Sequence, residues 1–257
     1  MNEVIRQLAA RKSVRAFEDR DIPGEVRAAI LEAAAQAPTA GNQQLYTILD
    51  ITDPELKRRL AETCDHQPFI AQAPMVLIFL ADVCKWLDAY REAGCEPRAP
   101  GAGDLMLAAS DAAIAAQNAV TAAWSLGVGS CYIGDVMERC EEHREMLNLP
   151  PHVFPAAMLA LGYPTEQQAR RPKPERFNMA DIVCENVYRR KDGPALRRMF
   201  AGRCVLRGYD AWMDAFCRRK YDSDFSREMT RSVEAYLLDY GLVRAEDGGE
   251  DGAPGAR

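Results

Sequence analysis

The sequence predicts a mixed α+β layer fold, on three observations. Strand-like runs are few and short, the helical stretches between them are long and unequal, and no G-x-G-x-x-G opens a helix after a strand. Gly127-Val128-Gly129 ends a helix and lacks the third glycine, which disfavours a Rossmann nucleotide domain. The 257 residues are enough for one large or two small domains with a sizeable core.

The elements follow in chain order. A short helix precedes Arg11. Pro23, then Val26, Ala29, Ile30, Ala33 and Ala37, have helical spacing, and Pro38 stops that helix. Tyr46 to Ile51 is an extended run. Asp53-Pro54 supplies an N-cap and a first-turn proline for a helix to about Cys64, and Pro74 precedes a strand, Met75–Leu80, apolar on both faces. The longest helix runs from Asp104 to Leu126 with Gly127 as its stop. Its small residues, Ala108, Ala112, Ala115 and Ala119, let another backbone approach, either inside one subunit or across a two-fold axis. Ala156–Leu161 is a third strand candidate. Ser223 and Ser226 cap a last helix whose stripe is Met229, Val233, Tyr236, Leu237 and Tyr240.

Composition narrows the function classes. With 48% apolar and 27% charged residues the chain is globular, and a net charge of −6 lacks the basic field that nonspecific nucleic-acid binding requires. Residues 185–244 carry 13 basic and 9 acidic side chains (+4), against 18 and 25 (−7) for residues 1–184. Residues 245–257 are glycine-rich and acidic, which predicts a disordered tail. Eight cysteines without a Cys-x-x-Cys pair, and three histidines, form no metal framework. Polar residues near the start and the lack of a 20-residue apolar run predict reduced thiols, no membrane segment and a cytoplasmic location.

Four segments carry chemical signal. Arg11-Lys12-Ser13-Val14-Arg15 groups three cations and a hydroxyl that suit a phosphate; if the segment is extended, Arg11, Ser13 and Arg15 share a face. Pro38-Thr39-Ala40-Gly41-Asn42-Gln43-Gln44 is a polar turn whose amides can match a heterocycle edge. Gly127 to Gly134 is a glycine-rich stretch where main chain could approach a ligand. Arg171-Pro172-Lys173-Pro174-Glu175-Arg176 is cationic and stiffened by proline. Each alone equally fits an ordinary basic patch, capping loop, helix exit or linker.

In this order and spacing, the Arg-x-Ser-x-Arg start, the Pro-Thr-x-x-Asn turn, the long helix ending in Gly-x-Gly-Ser-Cys-Tyr-Ile-Gly and the late Lys-Pro-x-Arg resemble the FMN-dependent nitroreductase family over roughly residues 5 to 188. The resemblance implies a three-layer fold with a central mixed sheet flanked by helices, a long central dimer helix, and FMN at the interface of a homodimer. NADH or NADPH would give hydride to flavin N5, and a nitroaromatic, quinone or similar small acceptor would take it in a ping-pong cycle. No side-chain nucleophile or base is implied. By position, Arg11, Ser13, Lys173 and Arg176 would hold the FMN phosphate, with Lys12 contributing mainly backbone. Arg15 would sit near the pyrimidine end and stabilise charge on the reduced ring. Pro38, Thr39 and Asn42 would line the pyrimidine or ribityl side from the partner, and Gln67 would reach the pyrimidine. Tyr132 and Ile133 would pack on one flavin face, and the Gly134 amide would point at N5. The domain reading is 1–188 for the FMN-binding body, with 83–103 a lid insertion bearing Trp86 and Tyr90, and 189–244 for a helical extension packing on body or partner. An FMN-binding sensor or storage module, and a specialised enzyme of the same fold (dehalogenase, flavin-fragmenting enzyme or peptide-heterocycle oxidase), are the alternatives. The acceptor and the choice between NADH and NADPH are not written in the sequence.

Overall fold

A computed structural model describes residues 2–242. The expected tail, 245–257, lies outside the described residues. In order, the elements are helices α1 (Glu3–Ala10) and α2 (Gly24–Ala35), strand β1 (Tyr46–Ile51), α3 (Pro54–Thr63), α4 (Phe69–Gln72), β2 (Met75–Asp82), α5 (Cys84–Glu92), α6 (Ala102–Ser125), β3 (Gly129–Ile133), α7 (Cys140–Leu147), β4 (Val153–Gly162), α8 (Glu166–Arg170), α9 (Met179–Ile182), α10 (Gly193–Phe200), α11 (Tyr209–Lys220) and α12 (Asp224–Leu237). Among the described residues no helix is long and apolar enough to cross a membrane, and no grouping of His, Cys, Asp and Glu could hold a metal.

The four strands form one sheet in the order β1-β2-β4-β3, each neighbour antiparallel. The α+β class stands, while the sheet differs from a mixed one: its parallel component is a single bridge between Ser13 and Ser130. Tyr46, where β1 begins, pairs with Ala81, and Met75 pairs with Leu161. β3 is the strand that sequence patterning reads as a glycine-rich exit, because Gly129-Ser130 carries little strand preference and only pairing with β4 makes it extended.

Strand alternation divides the core into two layers. Met75, Leu77 and Phe79 of β2 join Leu159 and Leu161 of β4 against α2 and the alanine face of α6. Val76, Ile78 and Leu80 face the other way, with Met158, Cys131 and Ile133, onto Leu60, Ile70 and Val136. Every residue of β2 is therefore buried, and the strand reads as one continuous apolar run. A third cluster joins α5 and the start of α6 to Tyr236 and Tyr240, and Tyr236 meets Phe154 edge to face at 5.0 Å.

α12 also completes α7. The N-terminal amides of a helix lack internal partners. Here Arg139 N donates to Glu228 Oε1 at 3.1 Å and Cys140 N to Ser232 Oγ at 2.9 Å, so residues about 90 positions away act as the cap.

Candidate functional site

The chain leaving α1 lies alongside β3, where Val14 N donates to Ser130 O at 3.0 Å. This pairing fixes the meaning of Gly129: a Cβ there would stand 2.6 Å from the Val14 side chain, so the glycine admits Val14 and not a ligand. Val14 is fully buried, which by strand alternation turns Ser13 and Arg15 away from the core.

The cations of this region separate into two kinds. Lys12 Nζ donates to the carbonyls of Ala169, at 2.5 Å, and Arg171. Lys173 Nζ donates to Ala9 O at 2.6 Å and Leu8 O at 3.3 Å, neutralising carbonyls at the end of α1. Both lysines thus tie α1 to the 169–173 segment, and the Lys12 ammonium is committed to main chain instead of an anion. Arg11 is different: its Nη1 is buried and has no hydrogen-bond partner among the described residues. Lys173 is held below the ordinary ammonium range by burial, with the nearby Arg176 and Arg11 charges adding to it. Three cations converge here, and among the described residues the buried Arg11 donor meets no acceptor.

β3 carries the next residues. Tyr132 is 37% exposed, whereas Ile133 is 2% exposed and lies in the core beside Val136. A strand cannot present both side chains on one face, so a flavin-packing role for the Ile133 side chain is corrected to a core role. Cys131 is buried too; burial pushes its thiol up and the neighbouring Arg15 and Arg11 draw it part of the way back, which places both guanidinium groups beside the strand. Gly134 is exposed and begins the turn Asp135–Met137. Gln67 Nε2 donates to Asp135 Oδ2 at 3.0 Å and to Cys64 O at 2.9 Å, so Gln67 sits beside the Gly134 turn with its amide nitrogen already engaged.

The polar turn 38–44 is organised by a residue that sequence patterning misses. Asp111, 3% exposed in the middle of α6, accepts Ala40 N at 3.0 Å, Leu45 N at 3.1 Å and the Thr39 hydroxyl. Thr39 Oγ1 in turn accepts Gln44 N at 2.7 Å, so this hydroxyl shapes the turn. A buried aspartate in an alanine-rich helix was a visible signal, since a charge there requires several donors. Pro38, Gly41 and Asn42 are exposed, and Asn42 has a left-handed φ of 57°.

Beside this turn lies a cavity of about 450 Å³ between α5, the following 95–100 segment and the start of α6. Leu45, Leu87, Leu107, Trp86 and Tyr90 line it, and Trp86 Nε1 donates to Gln43 O at 2.8 Å. Arg98, at the same cavity, is paired with both oxygens of Asp104 at 2.7 and 2.9 Å.

Within one chain these residues form two groups. Arg11, Ser13, Arg15, Tyr132, Gly134, Gln67, Lys173 and Arg176 gather around β3; Pro38, Thr39 and Asn42 lie at the level of Asp111. The Tyr132 hydroxyl reaches Gln117 Oε1 at 3.5 Å, six residues along α6 from Asp111 and so roughly 9 Å along the axis at 1.5 Å per residue.

Comparison with known proteins gives a consistent picture. A family model described as the nitroreductase family matches residues 8–163. The chain is 30% identical over 239 residues to a Bacillus subtilis protein named FMN reductase [NAD(P)H], covering 92% of this chain and 91% of that one. It is 30% identical over 243 residues to an oxygen-insensitive NADPH nitroreductase of Salmonella typhimurium, covering 93% and 96%. Among solved structures, NfrA2 of B. megaterium superposes with a TM-score of 0.81 at 28% identity, over 94% of this chain and 98% of that one.

Proposed function

The chain belongs to the nitroreductase family, and from that premise we propose that it is an NAD(P)H-dependent FMN oxidoreductase working as a homodimer. The relatives' names support the class of reaction and both cofactors. FMN, once bound, would supply the redox chemistry: hydride enters at N5 from NADH or NADPH and leaves to a small acceptor, in a ping-pong cycle.

The observation that carries this reading is the unpartnered, buried Arg11 Nη1 within the Arg11, Lys173 and Arg176 cluster. Such a donor is costly unless an anion completes it, and a phosphate accepts guanidinium hydrogen bonds in pairs. Ser13 is exposed on the same segment and adds a hydroxyl. The residues present therefore fit a flavin phosphate. Arg15, next along that segment, holds positive charge where the pyrimidine end would lie, which favours the reduced, more negative ring. Tyr132 and Gly134 are both exposed, and would offer a ring face and a main-chain amide to the flavin.

The second group of residues is assigned to the partner's flavin. Apolar side chains stand exposed on α1 (Val4, Ile5, Leu8) and α6 (Met106, Leu107, Ile114), a quantity of apolar surface that supports association of two copies. Pairing of the α6 helices would bring the 38–44 turn of one copy, with Pro38 and Asn42 exposed and Thr39 holding its shape, to the β3 end of the other. The cavity under Trp86 and Tyr90 then takes the acceptor. Its aliphatic floor and two aromatic rings suit a planar aromatic such as a quinone or nitroaromatic.

Purification without added cofactor tests the reading. About one FMN released per chain is the expected result on these single-site grounds; a colourless protein that also fails to take up FMN overturns it.

A further inference from the structure

In the turn that follows β3 the chain buries one oxygen of a carboxyl group, and among the described residues no donor meets that oxygen. Glu138 leaves the Asp135–Met137 turn, is 6% exposed, and has an Oε1 without a hydrogen-bond partner among the described residues. A carboxylate in that position is poorly solvated, so the group is relieved by holding a proton.

Its surroundings push the same way. Asp135 faces it from the same turn, Asp65 from the end of α3 and Glu228 from α12, while the cation facing it is Arg139 at the start of α7. Each neighbouring acid has its own partner. Asp135 accepts Gln67 Nε2 at 3.0 Å, and Glu228 accepts Arg139 N at 3.1 Å and Arg231 Nε and Nη2 at 2.8 Å. His143, buried in α7, adds no positive charge: burial lowers it, and its ring nitrogens meet Val136 O at 2.9 Å and Thr63 Oγ1 at 2.8 Å. Burial first, then these three carboxylates, raise Glu138 to about 7. The turn that carries it is closed by Met137 N donating to Gly134 O and Glu138 N to Asp135 O, both at 3.0 Å, which ties the Glu138 backbone to the turn that Gly134 begins.

We propose that Glu138 stores the proton that accompanies each two-electron turnover. Its carboxylate takes a proton from water when negative charge arrives at the Gly134 end of β3, and releases it when that charge leaves. The idea rests on the reading that Gly134 faces the flavin. The balance closes in both halves. Hydride from the nicotinamide brings two electrons and one proton to the cofactor site, leaving the oxidised nicotinamide; the added negative charge is offset by the proton bound at Glu138. Hydride then passes to a quinone, and the proton leaving Glu138 through solvent completes the hydroquinone. Glu138 acts through the field at the turn without touching cofactor or substrate, which makes it a positioning residue.

The test is a proton count on the holoenzyme. NADPH is added anaerobically near pH 7 in weak buffer with a pH indicator, and protons taken up per flavin reduced are compared between wild type and Glu138→Gln. Hydride transfer alone takes up no proton, and a group titrating near that pH is already about half protonated, so the wild type is expected to exceed the variant by up to about half a proton. Equal uptake overturns the proposal. The infrared carboxyl band of the oxidised protein is followed with pH alongside. A band that titrates near neutrality in wild type only, together with equal uptake, rejects proton storage and leaves the cofactor reading intact; a chain that holds no FMN rejects both. If Glu138→Gln fails to fold, Asp65→Asn removes an exposed facing carboxylate, and the pH of half-maximal uptake should fall. An unchanged midpoint overturns the proposal by that route.

Discussion

Arg11 and Arg15 sit four residues apart and are assigned different tasks. Arg11→Ala removes a charge-assisted donor pair and is expected to weaken FMN binding about ten- to a hundredfold, the equivalent of about 1.5–3 kcal/mol, by equilibrium titration of the flavin-free protein. Arg15→Ala should slow reduction by NADPH more than it lowers FMN retention; equal reduction rates in the variant and the wild type would refute its electronic role. Glu138 makes a further demand on stability. Its folded value of about 7 stands above the ordinary 4.5, so between these the folded state holds more protons than the unfolded one, and stability falls as pH rises through that window. Glu138→Gln should flatten this part of the profile in denaturant melts at a series of pH values. Tyr132 and Ile133 show why single residues were only partly legible: the motif placed both beside a ligand, and strand alternation allows one. The commitments of Lys12 and Thr39 were not legible at all, because their partners, Ala169, Arg171 and Asp111, are remote in sequence.

At the scale of elements, local pattern located α1, α2, α3, α6 and α12, left short helices such as α7 unread and missed one strand. Asp53-Pro54 begins α3 as expected, and Asp53 accepts Glu55 N at 3.0 Å. β2 was recognisable from its unbroken apolar run, whereas β3 exists only through its pairing with β4 and the approach of Val14 across Gly129. Gly129→Ala should therefore cost about 1–3 kcal/mol of stability, as overpacking does, and displace the Arg11–Arg15 segment with loss of FMN affinity. Asp111 does the corresponding work for the 38–44 turn. Asp111→Ala leaves the Ala40 and Leu45 amides without their acceptor and should destabilise the chain by about 2–4 kcal/mol in chemical denaturation. The α7–α12 contact adds an ion pair, with Arg231 donating to both oxygens of Glu141 at 3.0 and 2.9 Å. That pairing lowers Glu141 to about 2, so its contribution is present above the ordinary carboxylate range and is lost as pH falls. Both side chains are substantially exposed, which limits its worth to below about 1 kcal/mol.

For the whole molecule, the division of the site residues into two groups is the main constraint. One chain places the phosphate-binding candidates and the Gly134 amide around β3, and the polar turn farther along α6. The proposed homodimer would reconcile them, and the exposed Met106, Leu107 and Ile114 would supply the surface buried between its copies. Ile114→Asp is expected to shift the sedimenting species from two chains to one and to lower bound FMN with it. The single-chain sequence carried this only through its resemblance to a family, since an alanine-rich helix equally suits an internal core, and α6 in fact turns most of its alanines inward and Met106, Leu107 and Ile114 outward.

A flavin held by these residues and cycling between nicotinamide and an aromatic acceptor would report its own redox state by colour. The most direct measurement is the visible spectrum of the purified chain during anaerobic addition of NADPH or NADH, followed by a nitroaromatic or quinone. The flavin bands are expected to bleach with about one equivalent of at least one of the two nucleotides and to return when the acceptor is added, as a ping-pong flavoenzyme requires. Bands that persist in excess of both NADPH and NADH would contradict that cycle.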